Sequence, residues 1–179
     1  MKKPLLFSLM VLVMLAGLRV PAQTPAGAMK ISSPAFKNGE LIPAKYSCDA
    51  DKVNPALEFS GVPASAKSLV LIVDDPDVPK AMIPSGEFVH WLVWDMAPTT
   101  KGITEADKAA ATMGLNGTGR GYYAMCPPDR EHRYFFKVYA LDKMLGDTKV
   151  ASKADLLAAM QGHIVGQAEL MGRYNRIKK

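Results

Sequence analysis

Four short segments carry the side chains with chemistry to offer: Asp74-Asp75-Pro76-Asp77-Val78-Pro79, Val89-His90-Trp91, Cys126-Pro127-Pro128 and His132-Arg133-Tyr134. They combine carboxylates, imidazoles and a phenol with prolines, which fix φ and remove backbone donors and so stiffen the loops carrying those groups. Ionisable groups held on rigid loops make a binding site. A small anion there would be met by His90, His132, Tyr134 and the free backbone N–H groups of the proline-rich loops. Asp75 and Asp77 would repel it, so their expected role is to orient the imidazoles or to accept from an ammonium. Each residue also has a purely structural reading: His90 as a satisfied strand residue, Asp75 and Asp77 as Asx-turn formers, Tyr134 as core. Their convergence in one order along the chain is what points to a shared site.

Strands must position these groups. Ser68 to Val73 is a nearly continuous apolar run, as expected of a strand buried on both faces at the centre of a sheet, with Asp74 to Asp77 emerging from its end. Phe88 to Met96 reads as its neighbour, joined through the turn cluster Pro84-Ser85-Gly86; Leu57 to Phe59 and Tyr134 to Leu141 alternate as half-buried strands do. The chain therefore reads as mainly β. Helix is confined to Ser152 to Gln161, where Ser152 caps, Asp155 follows three positions on and Gly162 stops it, and to a weaker candidate between Ile103 and Met113. Gly114 to Gly121 reads as flexible loop. From His163 to Tyr174 helix-forming residues conflict with Gly166 and Gly172, and local pattern does not decide between helix and strand.

Together with Tyr46-Ser47-Cys48-Asp49 and Ser60-Gly61-Val62-Pro63, these motifs resemble the phosphatidylethanolamine-binding protein (PEBP) family, in its bacterial Raf-kinase-inhibitor-like (YbhB/YbcL-type) branch, over roughly Ser32 to Tyr174. The resemblance implies a β-sandwich of two antiparallel sheets with a few short helices, one near the C-terminus, and a closing strand after His163. It also implies a shallow pocket for phosphate-like or carboxylate-like anions or a phospholipid headgroup, with Asp75, Asp77, His90, Pro127, Pro128, His132 and Tyr134 as its ligand-binding residues. Ala124-Met125 stand where that branch often has Gly-Pro, which would narrow or grease the pocket floor. The kinase-inhibition label does not transfer to a chain that reads as exported.

No G-x-S-x-G, G-x-x-x-x-G-K-[ST], H-E-x-x-H or G-x-G-x-x-G motif occurs. Asp75, Asp77, His90 and His132 are donors that suit a divalent metal, but nothing in their spacing forces tetrahedral closure, so no metal or cofactor is expected. The expected role is a non-enzymatic binder, with a partner protein and a homodimer left open; the alternative is a hydrolase or a protease inhibitor acting through the same pocket or an exposed loop.

With 179 residues and 49% hydrophobic content, the composition suits one domain, spanning residues 32–179. Lys2 and Lys3 precede an apolar run from Pro4 to Leu18 and the small residues of Val20-Pro21-Ala22, the pattern of a secretory signal peptide over residues 1–22 cleaved before Gln23. At about fifteen residues the run is short of the roughly 20 that cross a bilayer, so stable membrane insertion after cleavage is not expected. A periplasmic or secreted protein follows, with a flexible mature N-terminus over residues 23–31. Losing Lys2, Lys3 and Arg19 takes the net charge from +5 to +2, which argues against nucleic acid as a partner. In an oxidising compartment Cys48 and Cys126 are disulfide candidates, the alternative being two buried thiols.

Overall fold

A computed structural model describes residues 28–107, 114–146 and 148–176. The expected signal peptide lies outside the described residues, as do residues 23–27 and 108–113. The described residues form nine strands: β1 (Lys30–Ser32), β2 (Leu57–Ser60), β3 (Ser68–Asp75), β4 (Phe88–Met96), β5 (Gly102–Ile103), β6 (Leu115–Asn116), β7 (Gly119–Arg120), β8 (His132–Leu141) and β9 (Ile164–Tyr174). They also form a short 3-10 turn at Ala44–Tyr46 and one α-helix, α1 (Lys153–Met160). β1, β2 and β5 make a small antiparallel sheet, and the other six strands make an antiparallel sheet in the order β7-β6-β4-β3-β8-β9. Mainly β structure in two antiparallel sheets is thus the observed architecture.

β3 shows little alternation because both its faces are covered. Leu69, Leu71 and Val73 join Trp91, Val93, Phe136, Val138 and, from the small sheet, Ile31, Leu57 and Phe59 in the core. Val70 and Ile72 point the other way, into a second cluster closed by Leu156 and Met160 of α1. The helix begins where its cap residue places it: the Ser152 hydroxyl accepts from the Asp155 N–H, and the Asp155 carboxylate returns a bond to the Ala151 N–H.

Two expectations are revised, over Lys30-Ile31 and over Gly114 to Gly121. Lys30 and Ile31, placed in the flexible N-terminus, pair with Ser60 and Phe59, because burying Met29 and Ile31 rewards their ordering. Of the weaker helix candidate, Ile103 is strand and Glu105-Ala106 is turn, while residues 108–113 lie outside the described residues. The flexible loop over Gly114 to Gly121 is instead the β6-β7 hairpin, whose Asn116 carboxamide accepts from the Thr118 and Gly119 N–H groups. The C-terminal segment that local pattern left undecided is the closing strand the resemblance implied, β9. Its glycines are packing devices: a Cβ on Gly166 would lie 2.8 Å from Pro63 Cγ, and one on Gly172 2.5 Å from Ile42 Cγ1.

Candidate functional site

Period-two alternation sends adjacent acids of β3 to opposite faces. Asp74 turns toward α1, where Lys137 (2.9 Å) and Lys153 (2.6 Å) pair with it; Lys153 also reaches Glu87 at 2.6 Å. Asp75 turns the other way. Its Oδ1 accepts from the Asp77 N–H at 2.9 Å, an Asx turn, and its Oδ2 lies 2.7 Å from His132 Nδ1. The other nitrogen of His132, Nε2, lies 2.8 Å from Asp129 Oδ1. An imidazole flanked by two carboxylates donates to both only as the imidazolium. Burial pushes the Asp75 carboxyl upward against the lowering effect of His132 and of the Asp77 N–H.

His90 reaches this end of the sheet through a register shift. Val73 pairs with Trp91 but Asp74 with Val89, so His90 is the extra, unpaired residue of β4. The shift lets His90 join Phe88 and Asp75 on the cavity side while Val89 packs into the cluster beneath α1. Its Nδ1 donates to the Tyr123 carbonyl at 2.8 Å, which leaves Nε2 as an acceptor in the neutral ring. Burial lowers the His90 pKa to about 4. The Tyr134 ring meets the imidazole edge-on with centroids 5.2 Å apart, and burial, with the nearby Asp75 carboxyl, raises the pKa of its hydroxyl.

Asp75, Val78, Met82, Ile83, Phe88, His90, Tyr123, Cys126 and Pro128 enclose a cavity of about 250 Å³. The sequence-predicted residues gather at this end of the sheet but divide there. Asp75, His90 and Pro128 line the cavity. Asp77 does not: Arg133 grips its carboxylate through Nε and Nη2 at 2.9 and 2.7 Å and through its backbone N–H, drawing the pKa down to about 2. His132 and Tyr134 lie beneath the wall, each wholly shielded from solvent, and Pro127 is buried behind Pro128. Nor does Met125 narrow the floor, since it is buried in the main core instead.

Sequence reasoning missed the apolar wall, Val78, Met82, Ile83, Phe88 and Tyr123, and missed Asp129 as the second partner of His132. The Asp129 spacing, three residues before His132, was a usable signal. Gly117 has a role too, since a Cβ there would lie 2.8 Å from the ring of Phe88; the hairpin backs that cavity residue. Cys48 and Cys126 are bonded to each other, tying the proline-rich wall to the segment after the 3-10 turn. Among the described residues no cluster of three or more His, Cys, Asp or Glu side chains is arranged to hold a metal ion.

Fold and site together define a β-sandwich with a small apolar-walled cavity over a carboxylate and an imidazole at the strand ends. The family model for phosphatidylethanolamine-binding protein matches residues 32–175, and the chain belongs to that family. It is 48% identical over 149 residues to a UPF0098 protein of Chlamydia trachomatis, covering 83% of this chain and 99% of that one. A UPF0098 protein of Methanothermobacter thermautotrophicus is 41% identical with the same coverage. The crystal structure of a PEBP homologue from Chlamydia trachomatis superposes with a TM-score of 0.80 at 47% identity, over 84% of this chain and 99% of that one. E. coli YbcL, of the same family, gives a TM-score of 0.71 at 26% identity, over 83% and 99%.

Proposed function

We propose that this chain is an exported, non-catalytic binder of small ligands carrying a phosphoethanolamine-like headgroup, which enters the cavity at the end of β3 and β4. The observation that carries the reading is the lining itself: apolar walls over two polar residues, Asp75 and His90. Both present acceptors, a buried carboxyl and the free Nε2 of a neutral imidazole. An ammonium satisfies such a floor directly. An anion enters only with a proton, carried on its own oxygen or taken up by His90. The apolar walls take the carbon portion of the ligand. Export rests on the composition of residues 1–22, and a protein partner docking at the cavity mouth, where Met82 and Tyr123 are exposed, is compatible with ligand binding.

Calorimetric titration with ethanolamine and with inorganic phosphate across pH 5 to 8 separates the two ends of the headgroup. Ethanolamine affinity should fall as acidification protonates Asp75, whereas phosphate affinity should rise as protons become available to His90 or the anion. Asp75→Asn should weaken ethanolamine by about tenfold or more, the worth of a charge-assisted hydrogen bond. Two flat profiles, or turnover of ester and phosphoester substrates that is lost in His90→Ala, would overturn the proposal.

A further inference from the structure

Cys126 has two roles in the geometry. It lines the cavity beside Tyr123 and Pro128, and it is bonded to Cys48, 78 positions earlier in the chain. Both half-cystines are only partly buried, but Cys48 is not part of the cavity lining. A small solute inside the cavity therefore meets Cys126 rather than Cys48. The bond also restrains the wall. Other ties to the 46–48 segment lie on the N-terminal side of Cys126: the Cys48 N–H donates to the Met125 carbonyl at 2.9 Å, and the Tyr122 hydroxyl to the Tyr46 carbonyl at 3.1 Å. On the C-terminal side Pro127 and Pro128 have no N–H to contribute.

We propose that Cys126 is a thiol-exchange site reached through the cavity, so that a small dithiol and the cavity's ligand compete for the same wall. The competition rests on the ligand reading given above; the exchange site does not. A thiolate of the dithiol attacks the Cys126 sulfur, forming a mixed disulfide while the Cys48–Cys126 bond breaks and its electron pair leaves on Cys48. The second thiolate of the reagent then attacks its own sulfur in the mixed disulfide, closes a cyclic disulfide and releases Cys126 as a thiolate. Two electrons pass to the protein, the dithiol is oxidised, and the two protein thiolates take up the protons that the dithiol gave to water. Reduction frees the Pro127-Pro128 wall and lowers ligand affinity. By linkage, a bound ligand opposes reduction to the same extent.

The test uses the full chain. A monothiol, 2-mercaptoethanol, followed by iodoacetamide trapping and peptide mass spectrometry should place the mixed disulfide on Cys126 and the alkyl group on Cys48. The rate of reduction by dithiothreitol should drop about tenfold when phosphoethanolamine is present at ten times its Kd. It should also drop without ligand in Ile83→Trp, which fills the cavity, or in Val78→Phe should the first variant not fold. A mixed disulfide on Cys48, or unchanged rates in the filled-cavity variants, overturns the exchange site. If phosphoethanolamine shows no calorimetric binding, the ligand reading fails while adduct position and filled-cavity rates still decide the exchange site. If it binds with amide shifts at the cavity residues and leaves the rate unchanged, the ligand reading stands and access through the cavity is refuted.

Discussion

His90 has its Nδ1 proton committed to a carbonyl and almost no contact with water, so its charge state is governed by burial. The folded pKa of about 4 lies below the unfolded value of about 6.5. Between those values the unfolded chain binds a proton that the folded chain refuses, so stability falls as pH drops from about 6.5 to about 4, by about 3 kcal/mol at the lower end. Urea unfolding followed across that range should show the loss in the native protein and a flatter profile in His90→Gln. Equal slopes for the two would mean that another group carries the effect. At this scale the residue types were legible in the sequence and their contacts were not. Asp75 and His132 were marked out by their motifs, but whether His132 faces a ligand or two carboxylates is settled by the parity of β8, on which it shares a face with Tyr134 and Phe136.

The elements reach the site through close approaches that only particular residues permit. β9 runs against the 36–42 segment, with the Ile42 N–H donating to the Arg173 carbonyl at 2.7 Å, and Gly172 allows the contact. Gly172→Ala should cost about 1–3 kcal/mol in chemical denaturation as Ile42 and Phe36 move to admit a methyl group; a neutral result would show that those side chains yield freely. The disulfide acts over a longer span. Replacing both Cys48 and Cys126 by Ser should lower stability by about 4 kcal/mol through the freed loop of the unfolded chain, read as a shift in the urea midpoint. A change below about 1 kcal/mol would mean that the unfolded chain gains little freedom. β3, β4 and α1 could be read from pattern and capping because each buries what its period predicts. β9 could not, since glycines that weaken a strand in isolation are retained here for what packs on them. The register shift at His90 leaves no local mark, because a bulge is a property of the pair of strands.

For the whole molecule, the two sheets and the helix enclose two separate cores and leave one end of β3 and β4 open to the loops. Motif order placed the candidate residues at that end, where Asp75, His90 and Pro128 line the cavity. The motifs did not reveal that the walls are mostly apolar, because Val78, Met82 and Ile83 belong to a connection whose path depends on tertiary packing. Of the two guests the resemblance implied, a small anion and a phospholipid headgroup, such walls suit the headgroup, which has a proton to donate and carbon to bury. The central claim is tested most directly by titrating isotope-labelled protein with phosphoethanolamine and following backbone amide shifts by NMR. Saturable shifts concentrated at Asp75, Val78, Ile83, Phe88, His90, Tyr123 and Cys126 are the predicted result. Unmoved resonances at those positions, with or without shifts elsewhere on the surface, would contradict it.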